Sequence, residues 1–321
     1  MLLAVSVLLF VVLRLIPVDP LALSVSPNAT VEEIEKIRHE MGFDRPIPAQ
    51  YLLWLKSALQ LDFGRSIYHR ESVASLIART LPASIELAAL AILVATLLGL
   101  AGGLTLFHVR GTKKEPLLDV ASLAILSLPE FLWGLFFILL FGVHWALLPF
   151  TGRLSAEFSM PAARTGFLLL DTLLAGRPDM FADALVHMVL PALALGVGFS
   201  PAIMRVLRSS LQDVYAEDYI RQARLRGIGE VRILLRHAAK NAILPALTLM
   251  GVQFGFLFGG TLLIEVIYSY PGMGNMMVEA VRNADLPVIQ AVGLVYCIAV
   301  LAINGLVDAA YAMLNPKLRP R

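Results

Sequence analysis

One cysteine, Cys297, occurs in 321 residues. It allows no intramolecular disulfide and no cysteine-built metal cluster, and inside an apolar run it reads as a small buried hydrophobe. Charge is scarce as well. Asp, Glu, Lys and Arg make up 16% of the chain, against roughly 25% in an ordinary soluble domain. Motifs of chemistry are missing: there is no G-x-x-x-x-G-K-[ST] phosphate loop, no H-E-x-x-H and no G-x-S-x-G. The six histidines are scattered. A net charge of +2 is too small to imply a nucleic-acid partner. What remains is a non-enzymatic channel, carrier, receptor or passive subunit.

What the chain does have is apolar length. Mean hydropathy is +0.76, and several apolar runs approach bilayer length. They lack period-2 alternation and so read as helices. An all-α polytopic membrane protein with six transmembrane helices is expected, at about 2–17, 82–107, 118–143, 184–207, 242–267 and 287–313. Of the 26 basic residues, 14 fall in three short segments on one side: after the second span, between the fourth and fifth, and after the sixth. Basic residues in short loops mark the cytoplasmic side, so both termini are expected there. The organisation is then 1–81, a first span plus a long external segment; 82–313, a five-helix core containing the cytoplasmic loop 208–241; and 314–321, a cytoplasmic tail.

The first run is short for a hydrocarbon core and lacks a basic flank. The expectation is that the natural chain begins upstream; a cleaved signal peptide fits less well, because Val18-Asp19-Pro20 is no small-residue cleavage site. In the external segment Thr30 and Glu33 form a capping box, predicting a helix to Met41 that stops at Gly42. A second helix is predicted over 50–61, with Tyr51, Leu52, Leu55 and Leu59 on one face. Glu86 and Glu265 lie near span ends, where an external surface position is expected.

The loop is the most informative stretch. From Arg205 to Lys240 it carries eight basic residues against four acids. Ala223 and Gly227 sit four apart, the spacing of one helical face. The reading is an amphipathic cytoplasmic helix whose small-residue face touches something other than lipid. Within the spans, Glu130 follows Pro129, Gln253 lies in the fifth, and Asn304 and Asp308 in the sixth. Charge at depth is expensive and faces a cavity or a partner helix. For Glu130 two readings stand: lining the pathway, or capping backbone groups freed by Pro129. Gly251, Gly255 and Gly259 form a stripe in the fifth span, Gly99 and Gly103 in the second. Such stripes permit close helix approach, either within the chain or at a subunit seam.

Tyr219-Ile-Arg-Gln-Ala223-Arg-Leu-Arg-Gly227, then Arg236-His237-Ala238 and Asn241-Ala-Ile-Leu-Pro245, resembles the "EAA" loop of binding-protein-dependent ABC importer permeases. Asp62-Phe-Gly64-Arg-Ser66, His187-Met-Val-Leu-Pro191, Tyr270-Pro-Gly272-Met-Gly274 and Asn315-Pro316 extend the resemblance along essentially the whole chain, to the B-type permease subunit of dipeptide/oligopeptide importers. The motif's Glu and first Ala are Arg221 and Gln222 here.

The resemblance implies a type I ABC importer permease fold. It implies that Tyr219, Ala223, Arg224, Arg226 and Gly227 couple the chain to a separate ATPase, and it leaves Glu130, Gln253, Gly251, Gly255 and Gly259 as pathway or seam candidates. The implied partners are a homologous second permease, two ABC ATPases and an external solute-binding protein, in a bacterial or archaeal cytoplasmic membrane. This chain would bind no metal and no cofactor; ATP and Mg would sit on the ATPases. A nickel–chelate, glutathione or other small solute is the alternative cargo. A stand-alone secondary carrier is the alternative class, and no inverted repeat favours it.

Overall fold

The computed structural model describes residues 2–15 and 45–314. Among these every regular element is helical, apart from an isolated bridge between Arg65 and Ser72. The helices are α1 (Leu2–Leu15), α2 (Ile47–Leu59), α3 (Val73–His108), α4 (Glu115–Ser127), α5 (Glu130–His144, whose last turns are π-helical), α6 (Leu168–Leu174), α7 (Pro178–Tyr215), α8 (Asp218–Leu225), α9 (Glu230–Ile267, with a π turn at Ile233–Ala238), α10 (Met273–Arg282) and α11 (Leu286–Leu314). Four of them, α3, α7, α9 and α11, are long and apolar enough to cross a membrane, and α4 with α5 would make a fifth if read as one bent span. The helix expected over 30–41 and the motif Asn315-Pro316 lie outside the described residues, as does the side chain of Asp308.

Three of the long helices overshoot their apolar runs; α9 starts at Glu230, twelve residues before the expected 242. α3 starts nine residues before the expected 82 and carries Pro82 inside it; α7 runs from Pro178 to Tyr215, past both ends of 184–207. The third apolar run is broken instead. Leu128 and Pro129 interrupt it, and α4 and α5 meet at 96°, because Pro129 offers no N–H to continue the ladder.

α3 packs most extensively on α7, through glycine. A Cβ on Gly99 would lie 2.6 Å from Ile203 Cβ, and one on Gly103 2.9 Å from the Met204 carbonyl oxygen. That stripe is a seam within the chain. The fifth-span stripe does likewise for two of its members: Gly251 abuts Val307 and Gly255 abuts Asn304, both on α11, while Gly259 meets nothing within 4 Å and borders an apolar cleft of about 280 Å³ between α1, α9 and α11. Cys297 lines the same cleft.

α2 lies against α1 by only part of the expected face: Tyr51 packs there and Leu55 is half-buried. Leu52 and Leu59 are exposed, whereas Ala58 is buried and Tyr51 and Trp54 each stack 5.6 Å from Phe10. Tyr51 Oη also meets Ser6 Oγ at 2.9 Å. The aromatic pair outcompetes the leucines because it offers both area and a polar partner.

The end of the bundle opposite α8 is tied down by buried carboxylates. Glu86 and Glu265 are not on the surface: they are 8% and 0% exposed. Glu265 accepts from Ser84 Oγ (2.6 Å) and from the backbone N–H groups of Gly274 (2.6 Å) and Asn275 (3.2 Å) at the start of α10. Tyr270-Pro-Gly272-Met-Gly274 wraps this carboxylate so closely that a Cβ on Gly272 would lie 2.3 Å from Glu265 Oε2, and one on Gly274 2.4 Å from the Leu262 backbone. Glu86 pairs with buried Arg153 and accepts from the Leu169 N–H at 2.9 Å; the Arg153 guanidinium also sits 5.5 Å from the Tyr270 ring. Asp285, at the entrance to α11, accepts from Ser66 Oγ (2.5 Å) and the Tyr68 N–H (3.1 Å).

Candidate functional site

The Arg-rich end is built on three helices. α8 begins beyond Glu217 and has two inward residues, Ile220 and Ala223, which join Ile233, Ala238 and Ala242 of α9 and Leu207 and Leu211 of α7 in one buried cluster. Ala223 is only 6% exposed. Its small size is therefore used against the chain's own α9. The helix stops at Leu225. Gly227 lies past its end with φ +72°, and the Ile228 N–H returns to the Ala223 carbonyl at 3.2 Å. The common docking face expected for Ala223 and Gly227 does not form: one residue points into the core and the other terminates the helix in the left-handed region.

Pairs hold the loop's shape. Asn241 Nδ2 donates to Tyr219 Oη at 2.9 Å, joining the two halves of the motif. Arg224 Nε donates to Glu230 Oε1 at 2.6 Å, and this bond holds the guanidinium pKa above its usual range. Arg224 also lies over Tyr215, 5.4 Å from the ring; Arg110 from the α3–α4 connection lies over Phe107 at 4.4 Å and over Tyr215 at 5.7 Å. Arg208 forks onto Glu115 and Asp119 and pins α4 to α7. Arg226 is exposed.

Outside this braced frame stand three apolar side chains that sequence reading missed: Leu225, Val231 and Leu235, exposed by 82%, 71% and 65%. Nothing local in the sequence marks them, because the turn at Gly227 decides which loop residues point outward. Each has an exposed arginine next to it in the chain, Arg226, Arg232 and Arg236, and exposed apolar groups on a loop braced from within are the features a protein interface uses.

The φ of Gly227 makes a test. Asn adopts the left-handed region far more readily than a β-branched residue. Gly227→Asn should keep the loop and near-normal function, whereas Gly227→Val should loosen it by roughly 1–2 kcal/mol. Hydrogen exchange of α8 in the two variants would check this; equal protection in both would remove the backbone explanation for the glycine.

The pathway candidates lie on α5 and α9. Glu130 opens α5 at the 96° break and is half-buried, with its Cβ 3.2 Å from where a Cβ of Gly198 would stand and its Oε1 3.2 Å from that of Gly260. Gln253 is half-buried on α9, two turns before Gly260. Gly251 and Gly255 are occupied by α11, so of the stripe only Gly259 faces open space.

Comparison with known proteins agrees with this geometry. The family model "Binding-protein-dependent transport system inner membrane component" matches residues 91–320, and its N-terminal counterpart, "Binding-prot-dependent transport system membrane comp, N-term", matches residues 1–88. The chain is 36% identical over 316 residues to the di/tripeptide transport system permease protein DppB of Pseudomonas aeruginosa (strain UCBPP-PA14), covering 98% of this chain and 94% of that one. It is 35% identical over 318 residues to the dipeptide transport system permease protein DppB of Escherichia coli (strain K12), with the same coverage. To the glutathione transport system permease protein GsiC of Shigella flexneri serotype 5b (strain 8401) it is 33% identical over 315 residues, again covering 98% and 94%. Among solved structures, a chain of the inward-facing MetNI methionine ABC transporter superposes with a TM-score of 0.58 at 14% identity, covering 75% of this chain and 96% of that one; this is a likeness of fold. With its helical bundle, its braced Arg-rich loop and matches along nearly its whole length, the chain belongs to the family of binding-protein-dependent transport system inner membrane components.

Proposed function

We propose that this chain is the transmembrane permease subunit of an ATP-driven importer for dipeptides or oligopeptides and forms half of the translocation pathway. The observation that carries the reading is the exposed apolar trio Leu225, Val231 and Leu235 on a loop locked to α7 and α9. A loop that transmits force must move as one body with the spans it serves. Here Ile220 and Ala223 are embedded in the same cluster as α7 and α9, so displacement of α8 displaces both helices. The substrate class rests on the relatives named for di- and tripeptides; the glutathione relative, itself a permease for a peptide-like solute, supports the alternative cargo.

In this reading α1, α3, the bent α4–α5 pair, α7, α9 and α11 are six spans, with both termini in the cytoplasm and a type I importer architecture. The loop docks on one of two ABC ATPases, which hold ATP and Mg. A second, homologous permease completes the pathway, and an external solute-binding protein delivers the cargo at the end carrying α10. The membrane is the cytoplasmic membrane of a bacterium or archaeon. Glu130, Gln253 and Gly259 face the pathway or the permease seam.

The test is reconstitution. This chain in liposomes with its partner permease, ATPases and binding protein should take up labelled L-alanyl-L-alanine only with ATP present. This chain alone should take up none. Uptake by the chain alone would return the stand-alone carrier.

A further inference from the structure

Glu130 carries more than a place on the pathway. Its helix α5 starts at the break; its Cβ and backbone stand against Gly198 of α7, and its carboxylate oxygen Oε1 stands against Gly260 of α9. Phe199 borders the same glycine: the Cβ position on Gly260 that lies 3.2 Å from Glu130 Oε1 lies 3.8 Å from Phe199 Cζ. Phe199 is itself half-buried. Among the described residues no basic side chain or hydrogen-bond donor meets the Glu130 carboxylate. The other buried acids each have a protein partner: Glu86 pairs with Arg153, Glu265 accepts from Ser84, Asp171 from Thr165 and Asp285 from Ser66.

Depth sharpens the contrast. Gly198 is ten residues from Arg208 along α7, roughly 15 Å at 1.5 Å per residue. Gly260 is seven residues from the end of α9, roughly 10 Å. The carboxylate therefore sits well inside the apolar bundle. A lone acid at that depth is costly against lipid and persists where it faces a water-filled cavity or receives a cation. A carboxylate near an aromatic ring is the chemistry that accepts an ammonium group.

We infer that Glu130, with Phe199 beside it, is the seat for the cationic end of the transported solute, and that for a peptide this end is the α-ammonium group. The inference rests on the importer reading above and adds a specificity residue to it. Binding at this depth must be weak enough to release, so one charged contact with one aromatic face suits a way-station.

The experiment uses the complete importer in liposomes and reads labelled L-alanyl-L-alanine delivered per ATP hydrolysed. Glu130→Gln keeps shape and hydrogen bonding but removes the charge. It should lower peptide delivered per ATP about ten-fold, the loss expected for one charge-assisted contact. Delivery is divided by the ATP hydrolysed in the same vesicles, so a slower ATPase alone does not register as lost delivery. Glu130→Asp should recover most of the delivery. Wild-type delivery by Glu130→Gln would overturn the inference and leave the importer standing. Loss of ATP hydrolysis together with uptake in both variants would also overturn it, in favour of a structural role. A wild-type importer that delivers no dipeptide would defeat the peptide reading itself, before any variant is made.

Discussion

Glu265→Ala should destabilise the end of the bundle that carries α10 by at least about 3 kcal/mol, because it strands three donors that each cost upwards of roughly 1 kcal/mol when buried without a partner. Those donors are Ser84 Oγ and the N–H groups of Gly274 and Asn275. The first belongs to α3 and the other two open α10, so a single carboxylate of α9 fastens α10 to two spans. The effect should be local. α10 would lose protection from protease and hydrogen exchange while the buried cluster around Ile220, Ala223 and Ile233 at the other end keeps its own. Glu265→Gln, which retains one acceptor oxygen, should fall between wild type and alanine. Thermal unfolding of the three proteins in detergent ranks them. A Glu265→Ala protein that melts with the wild type would show that the glycine-lined cradle holds α10 without its acid.

The second large effect is at the loop. The double change Leu225→Asp, Val231→Asp should weaken association with the ATPase about 100-fold, close to the 2.7 kcal/mol that two well-packed apolar anchors supply. Both side chains are largely exposed in the isolated chain, so folding should change by no more than roughly 0.5 kcal/mol. The arginines are weaker levers. Arg224 already spends its fork on Glu230, and an exposed pair of this kind contributes about 0–1 kcal/mol; Arg224→Ala should therefore cost far less than the double change. Titration of the labelled ATPase against the permease complex in detergent measures both. Undiminished association in the double variant would remove the outer face of the loop as the docking surface.

Much of this protein is legible in its sequence because the constraint is one-dimensional. A hydrocarbon core of nearly fixed thickness demands long apolar runs, and α3, α7, α9 and α11 appear where those runs are. The Arg-rich connection between α7 and α9 is equally plain, and its motif residues do come together, Tyr219 on Asn241 and Arg224 on Glu230. Pro129 announces an interruption in the third run, though not its 96° angle, since the missing N–H permits a bend and packing sets its size.

Spacing failed where the helix ended. Ala223 and Gly227 are four apart, but helical periodicity cannot carry past Leu225, so the pair shares no face. It failed again for the acids. Glu86 and Glu265 sit near the ends of their runs, which suggested a surface; their partners Arg153 and Ser84 are 67 and 181 residues away in the chain, and no local pattern predicts such meetings. The sequence by itself determined what must be withdrawn from water, and hence the helices, their lengths and the one polar loop between them. Tertiary structure alone decided which polar groups were satisfied inside and which side chains were left outside. Burying a carboxylate requires donors brought in from distant segments, and exposing Leu225 requires a turn that only the folded loop completes.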